Sequence, residues 1–320
     1  MTFTNLADFC TKLPKVELHA HINGSLSPAT MRELVERKKE QKPELAQFQI
    51  PDVLTIYNFF PLFRFIYQLT DDEESVCIAT RNVIREFAQD GVKYLELRTT
   101  PRKNSETGMT KISYLEAVVS VLHEPRKEDI VVNLIVSIDR RNTLEEAEEV
   151  VDLALAFRSR GVVGIDLCGD VKQGSFEALK PAFLRAQKHN FPITLHFNEV
   201  IENMVEGPDL LAIKPDRLGH ATFLDEYCRK VIYEHNIPVE ICMTSNLLCK
   251  TVNTYEEHHI KELLYDKHPF ILCTDDKGVF FSDSSNEYKL AAETFNLSHE
   301  ELFTISFCSI DAIFGSDEMA

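Results

Sequence analysis

The chain has no basic excess, no CxxC pair, no membrane-length apolar run and no glycine-rich turn after its first strand. Each absence removes a class of function. A net charge of −17 argues against nucleic-acid binding, whose footprint is a basic face. A small phosphorylated ligand stays open, because one or two local arginines suffice to hold it. The eight cysteines are scattered, and Cys168, Cys242 and Cys273 lie in apolar strand-like runs where a thiol is a small buried hydrophobe. A reduced, cytosolic setting is expected. The opening MTFTNLADFCTKLPK has no basic segment followed by an apolar one, so no signal peptide is expected. The greasiest stretch, residues 53–69, is broken by Asn58, Pro61 and Arg64, which argues against a membrane span. There is no nucleophile elbow to support a serine or cysteine triad, and no HxE…PCxxC signature of the cytidine-deaminase type of zinc site.

What is present is a regular alternation. Candidate strands are residues 15–22, 92–99, 131–138, 162–169, 192–197, 216–220, 237–244 and 269–274. Several are apolar almost throughout, as strands covered on both faces should be. Between them run segments with helical spacing. In residues 142–161, Thr143 suits an N-cap with Glu146 three positions on, and Gly161 suits a stop. Eight strands and intervening helices with no flexible linker predict a TIM (β/α)8 barrel, a single domain over residues 1–320. A doubly wound sheet would show fewer strands and a glycine-rich first turn. About 70 residues separate the first two strands, so extra helices are expected there, including the aromatic-dense residues 56–69. These form either a core helix pair or an apolar cover over the barrel mouth.

Four pieces end predicted strands with ligand or proton-transfer residues: ELHAHINGS (His19, His21), TLHFNE (His196, Glu199), RLGHA (His220) and LCTDD (Asp275, Asp276). In a barrel the carboxyl ends of all strands face one site. His19 and His21, two apart, share the inward face. Three imidazoles and a carboxylate suit zinc, and the remaining His, Glu and Asp are the acid–base groups of metal-assisted hydrolysis. Without a metal, these groups would strand charge in the barrel centre. Glu256, Glu257, His258 and His259 imitate a ligand cluster, but they fall in a helical segment away from any strand end and read as a solvated face. His123, His189, His235, His268 and His299 show no partner pattern.

KVELHAHINGS, the HxxE of LHFNE, RLGHA and CTDD together resemble the adenosine deaminase branch of the amidohydrolase superfamily, in order and spacing from about residue 12 to residue 315. The resemblance implies one zinc ion held by His19, His21, His196 and Asp275. Binuclear members of the superfamily use a strand-four lysine, whereas strand four here ends in Cys168-Gly169-Asp170. It further implies that the metal lowers the pKa of its water from 15.7 toward about 7. His220 and Asp276 would orient and deprotonate that water, and Glu199 would protonate purine N1, for which burial would have to raise its pKa. Gly169 would place its backbone N–H on the purine.

The neighbours of the site speak to the substrate. Adenosine deaminases usually carry Asp where this chain has Asn23, and a neutral amide would not repel a 5′-phosphate. Strand two ends in Thr99, Thr100, Pro101 and Arg102, and strand three in Asp139, Arg140 and Arg141; two hydroxyls and an arginine suit a phosphate. KYLELRTTPR, IDRR, CTDDKGVF and EYKLAAETFNL resemble the adenosine deaminase-like group that acts on N6-methyl-AMP and related N6-substituted AMPs, giving IMP and an alkylamine. That resemblance implies substrate contacts from His21, Asn23, Tyr67, Thr99, Thr100, Pro101, Arg102, Asp139, Gly169 and Asp276. It also implies a purine 5′-monophosphate as the small-molecule partner; a cytosolic monomer is expected, and charge and hydropathy argue against nucleic-acid and membrane partners. Tyr67 stands where the group usually has His, and Ala221 where it usually has Gly. Alternatives are a plain adenosine deaminase, a catalytically silent nucleotide-binding relative and, remotely, a metal-dependent phosphoesterase.

Overall fold

Eight parallel strands follow one another around a sheet in chain order. They are β1 (Lys15–His21), β2 (Val92–Thr99), β3 (Val131–Asp139), β4 (Val162–Cys168), β5 (Ile193–Phe197), β6 (Arg217–His220), β7 (Val239–Ile241) and β8 (Phe270–Leu272). The structure, a computed structural model, describes residues 4–50 and 59–315. Helices follow the strands, and the main apolar core lies where they cover the sheet, with Leu95, Leu97, Leu134, Leu195, Phe197 and Leu218 buried in it. This is the TIM barrel that the strand count predicts. Among the described residues no helix is long and apolar enough to cross a membrane.

The local signals act as expected in the third βα unit. Thr143 and Glu146 form a reciprocal capping box ahead of the helix Leu144–Phe157, satisfying two otherwise orphaned backbone donors. Gly161 ends the following turn at φ 94°, where a side chain would be strained. Strand seven is shorter than its apolar run suggests. The predicted 237–244 strand holds its ladder only over Val239–Ile241, and Met243–Leu248 is helical. Ser245 and Asn246 on that helix are buried and reach toward β6 and β8. The need to place those side chains overrides the local β preference.

The long first connection carries the expected additional helices, Pro28–Lys38, Phe59–Leu69 and Glu73–Gln89, with a 3₁₀ turn at Pro43–Gln47. Residues 51–58, which include the start of the aromatic segment, lie outside the described residues. In Phe59–Leu69, Leu62, Phe65, Ile66 and Leu69 are buried, the i, i+3, i+4, i+7 stripe of a helix packed on a core. Burying four such side chains contributes roughly 1.5–3 kcal/mol each. Tyr67 on the opposite face stays 44% exposed and faces Arg102 at the end of β2. The helix therefore packs on the core with one face and borders the barrel mouth with the other.

Closure of the barrel happens beside the predicted site. Past the end of β8, Asp275 N–H donates to His19 O (2.8 Å) and His21 N–H donates to Asp275 O (3.0 Å), around a parallel bridge between Ala20 and Asp275. Three of the four predicted ligands are thus tied by backbone hydrogen bonds before their side chains act.

Candidate active site

The strand-end residues do converge. Ring centroids of His19 and His196 are 4.6 Å apart, those of His19 and His220 5.0 Å, and those of His21 and His196 5.2 Å. His19, His21, His196 and Asp275 each offer a ligand atom, all within 4.8 Å of one another. Such a set can hold a metal ion. His21 Nε2 and His196 Nε2 face each other at 3.2 Å, and Asp275 Oδ1 lies 3.4 Å from both His19 Nε2 and His21 Nε2. The other Asp275 oxygen accepts from Ser245 Oγ at 2.7 Å.

The far side of each ring explains its orientation. His19 Nδ1 lies 2.6 Å from Glu240 Oε2, and His196 Nδ1 lies 3.1 Å from Asp166 Oδ1. A ring that donates its Nδ1–H to a carboxylate turns its Nε2 lone pair inward, the usual arrangement behind a metal-bound histidine. Both carboxylates are fully buried and share Arg98, whose Nη1 is 3.2 Å from Asp166 and whose Nη2 is 2.8 Å from Glu240. Arg217 joins Glu240 (2.7 Å) to Glu96 (2.7 Å) beneath. Thr194 and Ser137 hydroxyls satisfy the remaining oxygens of Glu240 and Asp166. None of these residues stands out as a ligand in the sequence. Their one signal is a charge within an otherwise apolar strand: Glu96 and Arg98 in β2, Asp166 in β4, Arg217 in β6 and Glu240 in β7.

Three observations show that the set fits a divalent cation. His19 Nε2 and His220 Nε2 are buried with no hydrogen-bond partner, a costly state unless something else meets them. Asp275, held well below the usual carboxylate range by the imidazoles around it, turns a negative oxygen to His19 and His21 at 3.4 Å. And the carboxylates around the cluster favour a positive charge at its centre. Burial and Arg98 oppose protonation of His19, yet Asp275 and Glu240 outweigh them and lift it to about 9. Burial holds His21 down to about 3, so its ring is neutral and available as a ligand. Cys242 joins a second set with His220 and Asp275, but burial and Asp275 push its thiol well up, and a protonated thiol is a poor ligand.

The three carboxyl groups near the cluster differ in the direction of their shifts. Asp275 is held well below the usual carboxylate range: burial acts against this, and the hydrogen bond and charge of His19, with His220 and His21, prevail. Asp276 is raised by burial and then by Asp275 beside it, and Glu199 is raised chiefly by burial. Two adjacent carboxyls with opposite shifts are suited to opposite tasks. Asp276 Oδ1 has no protein partner and sits in a cradle formed by Gly24, where an added Cβ would lie only 1.6 Å from it. Gly219 likewise leaves space for His19, whose Cε1 an added Cβ would approach to 2.8 Å.

The predicted substrate positions line up along one side. Thr70 Oγ1 donates to Asn23 Oδ1 (3.2 Å), and Arg102 donates to Thr70 Oγ1 and to the carbonyls of Thr70 and Tyr67. The Arg102 guanidinium stacks 4.9 Å from the Tyr67 ring. Asn23, Arg102 and Tyr67 are therefore one linked group. Thr99 Oγ1 pairs with Tyr114 OH (2.6 Å) and Thr100 Oγ1 with Cys168 Sγ (3.3 Å); Pro101, next in the chain, is buried. Asp139 is engaged by both the backbone and the guanidinium of Arg141 and lies next to Gly169.

The reading of residues 256–259 as a solvated face is half wrong. Glu256 and Glu257 are exposed, but His258 is fully buried. His259 turns inward, with its Nε2 2.7 Å from the His220 carbonyl. Tertiary packing against β6, invisible in a local pattern, buries them.

Comparison with known proteins agrees with this geometry. The adenosine deaminase family model matches residues 14–319. The chain belongs to the adenosine deaminase family. It is 41% identical to the human N6-methyl-AMP deaminase, over 97% of this chain and 91% of that one. It is 40% identical to the Arabidopsis thaliana N6-mAMP deaminase, over 98% and 95%. A crystal structure of the Arabidopsis enzyme superposes with a TM-score of 0.92 at 41% identity, covering 98% of this chain and 96% of that one. An Arabidopsis homologue complexed with IMP superposes with a TM-score of 0.91 at 41% identity, covering 98% and 95%.

Replacing Glu240 with Gln removes the charge behind His19 while keeping its shape. Metal affinity should fall about 10- to 100-fold, the usual cost of losing such a partner. Competition with a chromophoric chelator measures it, and an unchanged affinity would show that Glu240 does not support the cluster through His19.

Proposed function

We propose that the chain is a zinc-dependent, single-domain, monomeric enzyme of the cytosol that hydrolyses N6-methyl-AMP and related N6-substituted AMPs to IMP and an alkylamine. The observation that carries this is the buried four-ligand set with Glu199, His220 and Asp276 around it, in a chain about 40% identical along its length to N6-methyl-AMP deaminases. His19, His21, His196 and Asp275 would hold the zinc, as nitrogen and carboxylate ligands suit that ion. Zinc there supplies Lewis acidity that makes water a nucleophile near neutral pH.

The chain's own residues do the rest. Asp276 accepts the proton of the attacking water, and His220 orients that water from the end of β6. Glu199, raised by burial, keeps a proton to give to purine N1, which makes C6 electrophilic. Its raised pKa supports that assignment, since a general acid must hold its proton when substrate is bound. Gly169 offers its N–H to the purine ring. His21 and Asp276 flank the base, while Thr99, Thr100, Pro101 and Asp139 border the ribose and phosphate side. Asn23, linked through Thr70 to Arg102, gives the mouth of the site a neutral amide and a cation where a nucleoside enzyme would place a carboxylate. Tyr67 stacks on Arg102 and holds it against that side.

Steady-state hydrolysis of N6-methyl-AMP, AMP and adenosine, measured side by side, tests the reading. N6-methyl-AMP should give the highest kcat/KM; a wide preference for adenosine would sink the nucleotide assignment. Arg102→Ala should raise KM for the nucleotide by about 10-fold or more, the scale of one charge-assisted contact, and leave binding of the nucleoside unchanged. An equal effect on both would remove Arg102 from the phosphate. For Glu199→Gln we expect retained zinc and nucleotide binding with kcat lowered on the order of 10²-fold or more. Near-normal turnover would exclude Glu199 as the acid.

A further inference from the structure

His258 and His259 stack at 4.4 Å with their planes 19° apart, and both converge on His220 from behind. His259 donates from Nε2 to the His220 carbonyl (2.7 Å), fixing a residue that sits at φ 61°. The contact of His258 is indirect, and its proton positions follow from one obligate donor. The Ile260 backbone N–H donates to His258 Nδ1 (3.2 Å). A neutral imidazole that accepts at Nδ1 carries its proton on Nε2. His258 is neutral, because burial, with His259 and His220 beside it, pushes it down to about 2.

His258 Nε2–H therefore donates to Asn246 Oδ1 (3.1 Å), which sets the orientation of that carboxamide. Asn246 Nδ2 then faces His220 Nδ1 at 3.4 Å, with its second hydrogen directed toward Thr251 Oγ1 (3.2 Å) and Thr222 Oγ1 (3.4 Å). An N–H facing His220 Nδ1 makes that nitrogen an acceptor. The ring proton is left on Nε2, the atom that faces Asp275 at 3.9 Å and has no hydrogen-bond partner in the protein. The opposite tautomer would set two donors against each other in a fully buried position.

We infer that the chain Ile260 N–H, His258, Asn246 fixes His220 as its Nε2–H tautomer, so that His220 donates a hydrogen bond to the attacking water and does not take its proton. The tautomer stands on the geometry alone; its catalytic consequence rests on the deaminase reading above, and leaves Asp276 as the proton acceptor. Asn246 and His258 are then positioning residues, acting through His220.

Nitrogen NMR of the zinc-loaded protein labelled with ¹⁵N-histidine tests the tautomer without substrate. His220 is identified by the resonances lost in His220→Asn. A proton on Nε2 and a bare Nδ1 are expected; a proton on Nδ1 overturns the inference. Asn246→Asp places an acceptor against both imidazoles and should draw the His220 proton to Nδ1. Its kcat should drop on the order of 10²–10³-fold, as for loss of one preorganised donor, with KM and bound zinc unchanged. Unaltered kcat alongside a moved proton overturns the catalytic half. His258→Gln keeps a donor for Asn246 and should retain far more activity than His258→Leu; equal losses would overturn the role of His258. If a variant does not fold, the spectrum of the natural chain still decides the tautomer. Absence of turnover with every purine nucleotide would instead count against the deaminase reading, and the spectrum would be unaffected by it.

Discussion

Everything in the site depends on Glu240 and Asp166 remaining ionised in the middle of the barrel. Each aims a histidine by accepting its Nδ1–H, and neither touches water. Isolating such a charge costs several kcal/mol. Arg98 bridges the two, and Arg217 ties Glu240 to Glu96, so the carboxylates are held well below their usual range despite burial. The arrangement gains little stability for the fold, since buried ion pairs roughly break even with apolar packing. What it supplies is direction: two rings whose Nε2 atoms point at one place.

The backbone reinforces the same point. Barrel closure brings β8 against β1 through hydrogen bonds of Asp275 with His19 and His21. Fold and ligand geometry are therefore one constraint. A register slip between those strands would open the barrel and scatter the ligands together, and a strand slip is costly where one face is fully committed.

Much of this was legible in the chain. Apolar runs at regular spacing foretold eight covered strands, and polar residues at their ends foretold which side chains gather at the barrel centre. The residues behind the ligands were not legible, because their partners are remote: Arg98 meets Asp166 and Glu240 across 68 and 142 positions. A charge inside an apolar strand announces that something must pair with it, and a single sequence does not say what. His258 was misread for a related reason. Its neighbours Glu256 and Glu257 are solvated, and local pattern gives adjacent residues a common fate, whereas packing behind β6 separated them.

The conformations at the strand ends show where the fold spends its stability. Asn198, His220, Ala221 and Asp275 all adopt positive φ, at a cost of roughly 1–3 kcal/mol each for a non-glycine residue in that region. All four stand within a few residues of a ligand or a proton-transfer group. Two of them are held in place by bonds already described, Asp275 by closure onto β1 and His220 by His259. Asn198 donates from Nδ2 to the Phe223 carbonyl (2.9 Å), and Ala221 N–H donates to the Phe197 carbonyl (3.0 Å). Turning the chain sharply at these points lets a strand deliver a side chain to the centre and then leave at once, so that successive residues such as Asp275 and Asp276 sit in different surroundings and shift in opposite directions. Strain offset by dedicated hydrogen bonds yields a site that is rigid before any ligand arrives, and a preorganised site is the kind that catalyses by fixed electrostatics.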